Sequence, residues 1–418
     1  MNQDFPNKST LISITESKYY FLLFIIWPFL ALITAFMNYS DKAAKKVVYI
    51  FLIYYGFTFF IGSDSFSDSA RYSLSLKANA ALPFKDFFKV IGGLNSDTSI
   101  DIIDPLISFI VSRFTSHYSL LFAVYAAIFG FFYLKSFNLL FTRYKENPGW
   151  NALVHMIFFA AILPVTAING FRMWTAVWIF FYGAYHVILY RDLRFLLISF
   201  FAPLVHWSFI IPNVILLLYF FIGNRNIIYL PLVLISFVLP RMMTQYFTLI
   251  SLKLGGSLQN RYEMYSNPAY VAGVQDSAAD LAWLMKIGGD LVFYYLLLAI
   301  IVTRLKSKIL DRDKAADNLF SFLLVFLSFV NFGMGIPSLG VRFRMVFFIF
   351  AILYIFMYLV KVPGKKINYL TLIGLFPMLL QTAIVFRQGS DSLNAWIFSP
   401  FFGLPLLAPG ISVSSLLF

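Results

Sequence analysis

The sequence contains no cysteine and only 4 histidines in 418 residues. Without cysteine there is no disulfide framework, no thiol nucleophile and no thiolate-bound metal. Four scattered histidines without ligand spacing do not argue for zinc. Charge is also scarce: 12% of residues are Asp, Glu, Lys or Arg, against about 25% in soluble domains. No G-x-x-x-x-G-K-[ST] motif occurs, and no soluble domain is present to bind a nucleotide. No internal repeat is evident, which disfavours transporters built from inverted repeats. No cleavable signal peptide is evident either. The first apolar run begins near Tyr19 and lacks an A-x-A-like exit, so it reads as a retained span.

What fills the chain is apolar residues, 60% of the total, with a mean hydropathy of +0.80. Runs of about 17–25 apolar residues point to helices rather than to a barrel, whose strands alternate over about 10 residues. The expected fold is an all-α polytopic membrane protein, one transmembrane domain over 1–418. Its spans are expected at 19–37, 45–62, 118–142, 150–167, 171–190, 194–207, 208–223, 227–240, 282–303, 316–335, 341–360 and 367–386. That makes about twelve, within a range of 11 to 14. Residues 105–116 are apolar but too short to cross, which suggests a short or re-entrant helix.

Orientation follows from the connections. Lys42, Lys45 and Lys46; Arg143 and Lys145; Arg191 and Arg194; Arg225; Arg304, Lys306, Lys308, Arg312 and Lys314; and Lys361, Lys365 and Lys366 crowd the short loops on one side. The positive-inside rule makes that side cytoplasmic, and it accounts for the net charge of +13 without nucleic acid. Both termini then lie outside, with two long external loops at about 63–104 and 241–281. In the first, Phe84, Phe87, Phe88 and Ile91 share a helical face behind Pro83, with Lys85 and Lys89 between them. Two readings stand: a helix on the membrane surface, or packing over the helix ends.

Most ionisable residues that interrupt the apolar runs fall on the external face. An ionisable group at a helix centre costs on the order of 2.5–3.5 kcal/mol by insertion scales, so such clustering suggests a site. Arg172 follows the Asn169-Gly170 turn, in the first turn of a span, where a cation is disfavoured without an anionic partner. Reaching headgroup phosphates is its other reading. Arg342 and Arg344 follow a second Gly-containing turn at the start of another span. Two such turns make a two-armed clamp, and arginine grips phosphate oxygens bidentately. Asp64, Asp68, Arg71 and Tyr72 follow the second span; Asp64 or Asp68 serves as a base, a ligand for sugar hydroxyls, or only a cap. His206 stands at a break between apolar segments, as a general base or as a hydrogen-bond partner of a neighbouring helix. His117 and His155 have weaker surroundings, and His186 falls near the cytoplasmic end. Arg261 and Tyr262, beside Glu263, suit sugar binding in the second long loop.

These residues, taken in order, resemble the EpsG-like branch of the Wzy-type O-antigen and exopolysaccharide polymerases. The resemblance rests on Asp68 and Tyr72 after the second span, Asp104-Pro105-Leu106 where that branch has Glu-Pro-Leu, and Asn169-Gly170-Phe171-Arg172 opening a span. His206 with Ser208, Arg261-Tyr262 and Arg342-Phe343 complete it. Asp104 for Glu and Met173 after Arg172 depart from the pattern. The resemblance implies a GT-C-like fold and a glycosyltransferase of the bacterial inner membrane. It also implies that lipid-linked repeat units are joined into O-antigen, capsule or exopolysaccharide at the periplasmic face. Donor and acceptor would both be undecaprenyl-diphosphate-linked oligosaccharides, drawn from the bilayer, and a chain-length regulator would be a partner.

The residues supply a chemistry for that reaction. Leaving of the diphosphate places negative charge where arginines can hold it, so no metal or other cofactor is expected. Arg172, His206 and Asp68 are the catalytic candidates; Asp64, Arg71, Tyr72, Arg261, Tyr262, Arg342 and Arg344 are the substrate-binding candidates. A flippase or transporter of the lipid-linked repeat, or an O-antigen ligase, is the alternative. A flippase would need charges along a path through the membrane, whereas a ligase differs only in its acceptor. A membrane acyltransferase would want a cytoplasm-accessible histidine.

Overall fold

Apolar runs of this length satisfy their backbone groups away from water by hydrogen-bonding within the segment, as helices. The computed structural model describes residues 19–62, 67–92, 101–239, 253, 279–306, 313–362, 364 and 366–417, and these form an all-helical bundle. Among them, extended pairing is confined to an isolated bridge between Asn394 and Ser412.

Residues 19–26 are helical up to a break at Trp27, and α1 (Pro28–Met37) continues behind it. Its proline stands at the first helical position, where no N–H is required. Then come α2 (Lys42–Phe57), the shorter α3 (Asp68–Ala80), α4 (Phe87–Gly92) and α5 (Ile103–Ser112), and the long α6 (Tyr118–Glu146). α7 (Trp150–Ala161) joins α8 (Phe171–Tyr190) through a 3-10 turn at Val165–Gly170. After α9 (Arg194–Ser199) and α10 (Ala202–Val205) come α11 (Ile210–Ile222), α12 (Asn226–Val238), α13 (Ala279–Lys306), α14 (Lys314–Gly333), α15 (Pro337–Lys361) and α16 (Tyr369–Ser390). Two single-turn helices, α17 (Leu404–Leu407) and α18 (Ser414–Leu417), complete the series.

Among the described residues, six helical stretches are long and apolar enough to cross a membrane: 118–146, 150–190, 283–305, 314–333, 339–361 and 369–390. Shorter apolar helices cover 28–37, 103–112, 194–205, 207–222 and 226–238. The protein is therefore a multi-pass helical membrane protein. Each expected span holds helix, but several of these helices are only 10–16 residues long. At about 1.5 Å per residue the ten residues of α5 reach about 15 Å, half a bilayer core, as expected for this segment.

α15 runs through the middle. Every residue from Val346 to Met357 is buried, the mark of a helix that is apolar all round. Phe350 of α15 meets Phe181 of α8 with ring centroids 4.9 Å apart. Close approach elsewhere depends on small residues. A Cβ on Gly56 of α2 would lie 2.3 Å from the Phe122 carbonyl oxygen of α6.

Hydrogen bonds sort the helix ends into two sets. At the basic end, Asn147 Nδ2 donates to the Val360 carbonyl (2.6 Å), Asn151 Nδ2 to that of Lys366 (3.0 Å), and Asn318 Nδ2 to that of Ile188 (3.0 Å). At the other end, Asn331 Nδ2 donates to Ser236 Oγ (3.0 Å) and the Phe60 N–H to the Ser392 carbonyl (3.0 Å).

The first long connection departs from a loop: within 63–104, the described residues 67–92 form α3, a 3-10 turn at Phe84–Asp86, and α4. The expected amphipathic stripe there is split. Phe87 turns inward to Phe109 (5.3 Å between centroids), whereas Phe84 and Phe88 stay exposed. Most of the second loop, 241–281, lies outside the described residues, as do residues 1–18.

Candidate functional site

The break before Trp207 creates the site. His206 is extended between α10 and a 3-10 turn at Trp207–Phe209, so the Trp207 N–H does not point along a helix. Asp101 fills that gap. Its Oδ1 accepts the Trp207 N–H at 2.8 Å, and its Oδ2 lies 3.2 Å from His206 Nδ1 and 3.1 Å from Arg172 Nη1. The Asp101 side chain is fully buried, whereas those of Arg172 and His206 keep 25% and 13% of their surface. One carboxylate thus holds the histidine of this break and the arginine that opens α8 side by side, both keeping some exposed surface. With Nδ1 donating to Asp101, the second ring nitrogen, Nε2, is the basic one.

The arginine has a further support. Its Nε donates to the Tyr72 hydroxyl at 3.3 Å, and its guanidinium centre lies 5.7 Å from the Tyr72 ring. Tyr72 is packed edge-on against Tyr125 (5.5 Å), which stacks on Phe171 (3.8 Å) and donates to Asp104. Arg172 sits in the first turn of α8, where the helix dipole disfavours a cation, and Asp101 supplies the compensating charge.

The carboxyls around it differ. Burial alone would raise Asp101. The hydrogen bond and charge of His206, the Trp207 N–H and Arg172 outweigh burial and hold it below the usual carboxylate range. Asp104 is pushed up by burial, opposed by the Tyr125 hydroxyl and Arg172. Burial likewise drives the Tyr72 hydroxyl up, so it stays protonated and available as a donor.

Asp68 opens α3 beside this cluster. Ser67 caps the helix by accepting the Ala70 N–H (3.2 Å), and Asn169 Oδ1 accepts the Ser69 N–H (3.3 Å), which pins α3 to the turn before α8. A Cβ on Gly170 would stand 3.8 Å from Asp68 Oδ2. Asp68 pairs with Arg71 within the same helix, and Arg71 is largely exposed.

The second arginine turn divides its roles. Arg344 pairs with Asp290 of α13 (Nη1 to Oδ1, 2.5 Å) and lies 5.8 Å from the Phe348 ring. Gly289 makes room, since a Cβ there would lie 2.7 Å from Arg344 Nη2. Arg342 is half-buried and, among the described residues, has no ion-pair or hydrogen-bond partner. Phe343 between them packs on Phe209 at 5.5 Å, so the Arg342–Arg344 turn adjoins the segment that carries His206.

The structure thus brings together Asp68, Tyr72, Arg172 and His206, with the Arg342–Arg344 turn as a neighbour. Asp64, Arg261 and Tyr262 lie outside the described residues. His155 is buried elsewhere, between the Asn151 carbonyl (2.8 Å) and the Tyr295 hydroxyl (2.7 Å), and His117 caps α6. Two residues escape sequence reasoning. Asp101 stands three positions before the noticed Asp104, and Asp290 interrupts an apolar span, the signal by which it was findable. Among the described residues no three His, Asp or Glu side chains gather as a metal site.

The EpsG family model matches residues 81–397, a range that includes Asp101, Asp104, Arg172, His206, Arg342 and Arg344. No curated protein and no solved structure matches the chain.

Proposed function

The chain belongs to the EpsG family, and we propose that it is a polysaccharide polymerase that joins undecaprenyl-diphosphate-linked oligosaccharide repeats at the periplasmic face of the inner membrane. In this reading all twelve apolar segments cross or enter the bilayer in a GT-C-like arrangement, and the basic helix ends face the cytoplasm. The observation that carries the proposal is the shared carboxylate of Asp101, which sets a basic imidazole nitrogen and a partly exposed guanidinium at one place.

The chemistry divides between the two. The acceptor sugar hydroxyl attacks the anomeric carbon of the donor glycan. The bond from that carbon to the diphosphate oxygen breaks, and its electron pair leaves with the diphosphate. His206 Nε2 takes the hydroxyl proton, and Asp101 stabilises the resulting imidazolium. Arg172 and the unpartnered Arg342 hold the charge that develops on the leaving diphosphate. Arg344 is committed to Asp290 and shapes the turn. Asp68, Arg71 and Tyr72 line the acceptor side, with Asp64, Arg261 and Tyr262 as further sugar contacts. Arginines supply the anion stabilisation, so the reaction needs no metal ion.

The test is reconstitution. Purified full-length protein in liposomes, given the lipid-linked repeat unit, should yield lipid-linked glycans of two or more repeats and release undecaprenyl diphosphate, with turnover unchanged by EDTA. Movement of the intact repeat across the bilayer without chain growth would instead identify a flippase, and transfer only to a lipid A core would identify a ligase.

A further inference from the structure

At the basic end of the bundle, α6 and α8 line a cavity of about 520 Å³ that the proposed reaction does not use. Its wall includes Lys135, Thr142, Arg143 and Glu146 of α6, and His186 and Tyr190 of α8. Lys135 and Tyr190 are exposed, so the cavity opens outward as a groove between the helices. Arg143 donates from Nε to the Tyr185 hydroxyl (3.1 Å) and from Nη2 to the Tyr190 hydroxyl (2.8 Å). Among the described residues, neither Arg143 nor Lys135 has a carboxylate within ion-pair distance. His186 Nε2 is buried without a hydrogen-bond partner.

These groups have one thing in common: they donate. Arg143 keeps Nη1 free, Lys135 offers an ammonium, a neutral imidazole can place its N–H on Nε2, and the Tyr190 hydroxyl is free to donate while it accepts from Arg143. Two uncompensated cations and a buried unpaired nitrogen call for an anion rich in acceptor oxygens, which a phosphate is. Glu146 is the one acid on the wall, and it is exposed at the rim. Depth decides the source. Lys135 lies eleven residues before the end of α6, about 16 Å along the axis, and its Nζ sits 5.6 Å over the exposed Phe131 ring. A groove at that depth in an apolar span is reached from the bilayer rather than from water.

We propose that this groove binds the phosphate headgroup of an anionic phospholipid of the cytoplasmic leaflet, held by Arg143 and Lys135 with Tyr190 and His186, its acyl chains lying along Phe131. The site is independent of the polymerase reading and of the Asp101 cluster.

Native mass spectrometry of the full-length protein in detergent tests it, with phosphatidylglycerol, phosphatidylcholine or inorganic phosphate added. Phosphatidylglycerol should be retained in preference to phosphatidylcholine. That preference should weaken by about fivefold in Lys135→Gln and about thirtyfold in the double variant with Arg143→Gln, as expected for basic contacts at a membrane surface. Lys77→Gln, on α3 at the far end, should bind like wild type. Equal retention of the two lipids by the wild-type protein would overturn the proposal, as would undiminished preference in the double variant. Competition by inorganic phosphate at matched concentration would also overturn it, by assigning the groove to a soluble anion. Where the double variant fails to fold, the wild-type preference and Lys135→Gln still decide.

Discussion

Phe343 packs its ring against that of Phe209, 5.5 Å between centroids. Phe343 separates Arg342 from Arg344, and Phe209 follows His206 by three residues. This apolar contact sets the Arg342–Arg344 turn beside the segment that carries His206, which the sequence places far away.

Asp101→Asn keeps the shape of the side chain and removes its charge. Turnover should fall by about 10²-fold, the scale of a lost general base, because His206 is no longer held in the productive tautomer. Steady-state kinetics with the lipid-linked repeat measure this; an unchanged kcat would remove His206 and Asp101 from the chemistry.

The same carboxylate carries a pH signature. Its folded-state pKa lies below the ordinary value of 3.8, so its contribution to stability is full above that value and is lost as pH falls through the lower, folded one. Below about pH 4 the thermal midpoint difference between wild type and Asp101→Asn should shrink as the buffer is made more acidic. A difference that persists undiminished there would contradict the assigned partners.

Arg342→Gln and Arg344→Gln should part company. Arg342 has no partner to strand, so its loss should raise KM or lower kcat with little change in thermal midpoint. Arg344→Gln leaves Asp290 unpaired at a membrane helix. That should destabilise by about 1–2 kcal/mol, less than the about 3–5 for a fully buried pair because Asp290 keeps 38% exposure. Thermal unfolding and kinetics on the same preparations separate the two effects.

Gly56→Ala tests the packing of α2 on α6. The new methyl would meet the Phe122 carbonyl oxygen at 2.3 Å and the Ala126 Cβ at 2.5 Å, and neither can swing aside. Destabilisation by about 1–3 kcal/mol is expected from overpacking, with the arginine sites untouched. A variant as stable as wild type would mean that the helices stand further apart.

Much of this was legible in the sequence because membrane helices announce themselves by length and hydropathy. The segments around α6, α8, α14 and α15 are apolar over whole spans, and their basic flanks gave the two ends. Arg172 and His206 stood out because an ionisable residue in an apolar run is costly. Asp101 did not, because it lies in a polar connection where an aspartate is unremarkable; only the fold carries it to the gap beyond His206. α3 (Asp68–Ala80) is not legible in the sequence because it has too little apolar surface to show a periodic face, unlike the Phe84–Ile91 stretch. The pairing of Arg344 with Asp290 joins residues 54 positions apart, which no local pattern reports.

The most direct measurement is the size distribution of surface glycan in cells lacking this protein, complemented with wild type or with Arg172→Ala. The account predicts a single repeat unit on its anchor in the deletion strain, long chains restored by wild type, and no restoration by Arg172→Ala. Disappearance of the glycan altogether, with lipid-linked repeats accumulating, or full restoration by Arg172→Ala, would contradict it.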